Sequence, residues 1–204
     1  AWLVIWRMPF QWMENIFGLL GLGLIVFVVA LFRLPTDWPA LWHQVINPAV
    51  PADQPAPTWW FYAVTLIGAC IVPYQVIFFS SGGREEGWTS KSMTEMRVNA
   101  FVGFPLGGLL SLAIMAAAVP VLEPAGIQVS HLNQVALPVA VAFGKIGLAI
   151  VFVSFFAATF AAAAESALSS GYSVAQYMGW SWGKRHPPGA AARFHLVCLA
   201  SMIA

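Results

Sequence analysis

The feature that most constrains this chain is where its charges are missing. No Asp, Glu, Lys or Arg lies between Glu14 and Arg33, between residues 54 and 83, or between Arg97 and Glu123, and from Lys145 to Trp180 the interior holds Glu165 alone. A charged side chain at mid-bilayer costs several kcal/mol, and about 20 apolar residues are needed to cross the hydrocarbon. The intervals therefore read as membrane spans at about residues 13–33, 59–82, 97–120 and 145–180, with the start of another at 194. Composition agrees: 60% of side chains are apolar, 8% are charged and mean hydropathy is +0.78. A soluble domain carries roughly 25% charged residues to stay wetted, so the class is an all-α membrane protein whose outer solvent is lipid.

The net charge of +1 gives no field that would hold a nucleic-acid backbone. Cys70 and Cys198 sit in apolar runs without the spacing of a disulfide framework or zinc site. His43, His131, His186 and His195 are scattered, so no chemistry is assigned to them. Of the basic residues, Arg7, Arg84, Lys91, Arg97, Lys184, Arg185 and Arg193 fall on one side of the alternating spans, Arg33 and Lys145 on the other. The richer side is cytoplasmic. Residues 34–58 are then an external Pro-rich loop whose Trp38, Trp42, Trp59 and Trp60 suit an interfacial belt, in a multi-pass protein of the plasma membrane. No signal peptide is visible, and the chain reads as a piece of a longer protein.

The second span is expected to be broken at residues 69–74. In Gly68-Ala69-Cys70-Ile71-Val72-Pro73-Tyr74 the glycine loosens the helix and Pro73 removes a backbone hydrogen bond. In hydrocarbon, freed carbonyls persist only where protein or a water-filled cavity satisfies them, which is why discontinuous helices mark transport sites. A plain proline kink is the other reading of the same residues.

In the fourth span, Ser169, Tyr172 and Gln176 follow Glu165 at i+4, i+7 and i+11, laying one polar stripe on one helix face. An intramembrane acid lines an aqueous pathway or attracts cations; alternatively the stripe joins helices, since Ala161 to Ala164, Ser166, Ala167 and Ser170 permit close packing. Glu14 and Arg97 stand at helix ends, where pairing and snorkelling account for them.

Met13-Glu14-Asn15-Ile16-Phe17-Gly18, then the broken segment 68–74, then Ser80-Ser81 and the stretch from Leu168 to Gly179 together resemble the middle of the Nramp divalent-metal transporters. The resemblance implies a LeuT-type inverted-repeat fold of the APC superfamily, here represented by about four transmembrane helices plus the start of a fifth. It also implies a metal site at the break, where the family reads Ala-x-x-Met-Pro-His and the alanine carbonyl and methionine sulfur bind the ion. Ala69 matches the alanine, Val72 replaces the methionine and Tyr74 replaces the histidine, while a second family histidine falls at Phe79. Pro73, Tyr74, Gln75, Glu165, Ser169, Tyr172 and Gln176 are the expected pathway and gating residues. Without the thioether, carbonyls, carboxylates and water remain, which favours harder ions such as Mg²⁺ with Mn²⁺ sharing the site. This points to the Nramp-related magnesium-transporter branch, with weak or no proton coupling, and no cofactor beyond the transported ion.

A carrier of amino acids or other organic solutes with the same architecture is the alternative. A membrane enzyme or non-transporting scaffold is a third class. The sequence holds no Ser/His/Asp set, no HExxH and no glycine-rich phosphate loop to support catalysis.

Overall fold

Apolar runs placed in hydrocarbon can satisfy their backbone groups only within the segment or in a closed barrel. The structure, a computed structural model describing residues 10–50, 55–70 and 72–203, is helical through all of its apolar stretches. The order is α1 (Phe10–Gly21), a 3₁₀ turn (Leu22–Ile25), α2 (Val26–Arg33), α3 (Trp38–Ile46), α4 (Ala56–Cys70) and α5 (Pro73–Glu85). A second 3₁₀ turn (Ser90–Ser92), α6 (Met93–Val98), a π-helical turn (Asn99–Gly103) and α7 (Phe104–Leu122) follow. The last elements are α8 (Leu132–Val135), α9 (Leu137–Tyr177) and α10 (Ala192–Ser201).

Among the described residues, three helical runs are long and apolar enough to cross a membrane: Asn15–Arg33, Ser90–Leu122 and Leu137–Tyr177. The sequence suggests four crossings. The difference is the second one, which is divided into α4 of 15 residues and α5 of 13, each too short alone. Helix starts also differ from the span starts. The run at the third expected span begins at Ser90 rather than 97 and α9 at Leu137 rather than 145, because a charge-free interval marks hydrocarbon, whereas a helix continues into the interface, where Lys91, Glu95, Arg97 and Lys145 are exposed.

Residues 34–58 are not simply a loop, since they contain α3. Its signal was present: Asp37 caps the helix by accepting from the Ala40 amide at 3.0 Å, and Pro39 sits in the first turn, where its missing N–H costs nothing. Gly144 interrupts α9 near its start, with φ 61° and ψ −145°, a conformation open essentially to glycine alone.

The chain forms two compact units. In the unit made of Asn15–Val45 and Thr89–Thr159, α2 packs against α7, and Phe27, Ala30, Leu31, Ala117, Val139 and Val151 are buried together. Phe27 stacks on Phe155 at 6.0 Å, and the Arg33 guanidinium lies 4.7 Å over the Phe143 ring, the placement expected of a cation at a helix end. Gly23 presents bare backbone to the Ser154 side chain. Large apolar side chains such as Phe32, Phe101, Leu109 and Phe156 stay exposed, which water would penalise and lipid does not.

The other unit holds α4, α5, the carboxyl-terminal part of α9 and α10. Its core joins Ala167, Leu168, Tyr172 and Ala175 of α9 to Phe194 and Cys198 of α10, with Ile77 and Phe78 of α5 packed against them. Gly171 permits that closeness, because a Cβ there would run into the Cys198 sulfur and come within 2.9 Å of the Phe194 ring. Replacing Gly171 with Val should destabilise the protein by about 1–3 kcal/mol through overpacking, read as a lower thermal midpoint in detergent. Adding Cys198→Ala should recover part of the loss, and equal midpoints for all three proteins would disprove this contact.

Candidate functional site

The helical ladder runs from each amide to the carbonyl four residues earlier, so the amide owed to the Ala69 carbonyl belongs to residue 73. That residue is a proline and has no N–H. α4 stops at Cys70 accordingly, and Val72 is extended with φ −98° and ψ 126° before Pro73 opens α5 as its first residue. Ile71 lies outside the described residues, and of Ala69 the backbone alone is described. The Val72 carbonyl accepts from the Gln75 amide at 3.1 Å and so closes the first turn of α5. The interruption is narrower than residues 69–74: Ala69 is in the last turn of α4, and Tyr74 and Gln75 are in the first turn of α5. Val72 is the extended residue among them.

Two helix ends meet at this interruption. The carboxyl end of α4 carries carbonyls without intrahelical partners and a partial negative charge; the amino end of α5 carries a partial positive one. Val72, Tyr74 and Gln75 are half-buried beside it. Phe79 is turned to the Trp88 ring, edge to face at 5.1 Å. Among the described residues no three His, Cys, Asp or Glu side chains converge into a metal-binding group.

The polar stripe of α9 finds its partner in α5. The Ser169 hydroxyl donates to the Tyr74 carbonyl at 2.7 Å, and the Gln176 amide donates to the Ser81 hydroxyl at 2.9 Å. Both pairs are 95 residues apart in sequence, so α5 and this part of α9 run in the same direction, with rungs two helical turns apart. Between the rungs, buried Tyr172 donates its hydroxyl to Glu85 at 2.6 Å. Glu165, one turn before Ser169, is half-buried.

Glu85 is the functional-looking residue the sequence reading overlooks. Besides Tyr172 it accepts from the backbone amides of Lys184 at 3.0 Å and Arg185 at 2.7 Å, while Lys184 pairs its ammonium with Glu86 at 3.0 Å. Gly183 makes the approach possible: its φ is +130°, and a Cβ there would lie 3.1 Å from the Glu85 carboxylate. The signal available in the sequence was the tyrosine itself, since a buried Tyr hydroxyl normally has a partner; Glu165, Glu123 and Glu95 all lie nearer along the chain, so nothing local singled out Glu85.

Compared with known protein families, the chain matches Nramp, described as natural resistance-associated macrophage protein-like, over residues 1–204. No curated protein matches it. Apolar helices of membrane-crossing length and a family match over the whole chain agree: the chain is an integral membrane protein of the Nramp family, a transporter family whose members move divalent metal ions.

Proposed function

We propose that the chain carries divalent cations by alternating access in a LeuT-type fold, as the middle part of a longer protein, with the ion bound at the interruption between α4 and α5. The observation that carries this reading is the Ala69 carbonyl, left without its helical donor by Pro73 at the negative end of a helix dipole. Such an oxygen is a ligand for a partly dehydrated cation, and unwound carbonyls serve that purpose in transporters built on broken helices. Family membership does not favour the organic-solute alternative, and the family is not enzymatic.

The choice of ion follows from the ligands. Val72 offers no donor atom, so carbonyls, carboxylates and retained waters would complete the shell, a set that suits Mg²⁺ and Mn²⁺ better than soft ions. The same ligand set is what supports a position near the magnesium-transporting branch. Restoring a thioether with Val72→Met in the full-length protein should raise Mn²⁺ or Cd²⁺ uptake relative to Mg²⁺ roughly fivefold, worth about 1 kcal/mol of differential binding. An unchanged ratio in competitive uptake would mean that residue 72 does not face the ion.

Proton coupling is expected to be weak or absent, because Tyr74 and Phe79 stand where the family carries histidines, the side chains that switch charge between pH 5 and 8. Glu165 then acts as a fixed charge that concentrates cations along the α9 face, with Pro73, Tyr74 and Gln75 lining or gating the path, while Ser169, Tyr172 and Gln176 give their polar groups to α5. In proteoliposomes with an internal pH dye, Mg²⁺ uptake should proceed without stoichiometric acidification, and Glu165→Gln should raise the apparent KM while leaving proton flux as it was. Metal-driven acidification abolished by Glu165→Gln would make Glu165 the proton carrier instead.

The asymmetry of basic residues supports an orientation with α3 outside and residues 86–97 in the cytoplasm, for a protein we take to reside in the plasma membrane. A single cysteine at exposed Trp42 should react with an impermeant maleimide in intact cells, and one at Ser90 should react only after permeabilisation. The reverse pattern would invert the topology.

A further inference from the structure

Three features hold α5, two of them at its carboxyl end. Its polar face is bonded to α9 at two levels, by Ser169 to the Tyr74 carbonyl and by Gln176 to Ser81. Its last residue, Glu85, is held by a buried tyrosine and by two successive backbone amides of residues 184 and 185. Its backbone at Gly83 is covered by the Trp88 ring, whose indole N–H donates to Glu86 at 3.1 Å, and Glu86 in turn pairs with Lys184. Among the described residues, none of α4, on the other side of the interruption, is in these bonds or in the buried core around Tyr172.

We propose that Glu85 is a positioning residue for transport: it latches α5 to the carboxyl-terminal part of α9 and to residues 178–191, so that these move as one body while α4 swings about Val72. The inference rests on the carrier reading above. The charged acceptor dominates the latch, because hydrogen bonds to an ionised carboxylate are roughly twice as strong as neutral ones. Glu85 also joins three segments, α5 itself, α9 through the Tyr172 hydroxyl, and the loop through its amides. Ion binding at the α4 end of the interruption is then transmitted to the α9 face through α5 as a stiff lever, and a loosened lever lowers the turnover rate without weakening the ion site.

The test uses the full-length protein with its other cysteines replaced, reconstituted and assayed for Mn²⁺ uptake per folded molecule. Glu85→Ala should lower the maximal rate about fivefold or more, within the usual range of coupling between sites, while the apparent KM moves less than about twofold. In Glu85→Cys/Arg185→Cys, a short cleavable thiol-to-thiol crosslink should restore transport and a reductant should abolish it again. In Ser81→Cys/Gln176→Cys, the same crosslink should leave transport intact. Crosslinks that stop transport at either pair would show that α5 moves against α9 and would overturn the proposal. If the unmodified protein moves no divalent ion, the carrier reading fails and hydrogen exchange decides the latch. Glu85→Ala must then speed exchange in residues 73–85 and 178–191 together, and acceleration in only one of them refutes it.

Discussion

One missing hydrogen sets the terms for the interrupted helix and everything bonded to it. With proline at residue 73, the Ala69 carbonyl loses its helical amide donor, and the chain turns extended at Val72 between two helices. In water that defect would be repaired by solvent. In hydrocarbon an unsatisfied carbonyl costs on the order of several kcal/mol, so the interruption persists only where something polar completes it. A cation would answer both that need and the negative dipole end of α4, which is the link between the proposed site and a family of metal transporters.

An interruption is useful only if its two halves are held differently. α5 is held through its polar face: neutral hydrogen bonds between membrane helices contribute about 0.6 kcal/mol on average, and bonds to charged groups about 1.5–3 kcal/mol. By those magnitudes Glu85, accepting from Tyr172 and two backbone amides, outweighs the Ser169 and Gln176 rungs combined. Close approach is what admits these bonds. Gly83 lets the Trp88 ring lie against α5, Gly183 admits the carboxylate to the loop, and Gly171 lets α10 seat Phe194 beside Tyr172. Small residues here serve contact between elements rather than flexibility within them.

The all-helical class and the interrupted segment were legible in the sequence because each rests on a local rule: charge-free length for the spans, and the missing proline amide for the interruption. The stripe at Ser169, Tyr172 and Gln176 was legible as a face needing partners, but not the partners themselves, since 95 residues separate the bonded pairs and no local pattern encodes that register. Helix α3 escaped because its prolines and tryptophans suggested loop and interface, although Asp37 and Pro39 form a helix start. Glu85 escaped because an acid at the edge of a charge-free interval looks like ordinary interfacial solvation. Its role appears only when the Lys184 and Arg185 amides fold back onto it.

The central claim is that the transported ion sits at the interruption and takes the Ala69 carbonyl as a ligand. Anomalous diffraction from crystals of the full-length protein soaked in Mn²⁺ locates that ion directly. The account predicts a peak about 2.2 Å from the Ala69 carbonyl oxygen, between the carboxyl end of α4 and Val72. A sole peak at Glu165, or at the Glu85 and Glu86 cluster, with none at the interruption, would contradict it.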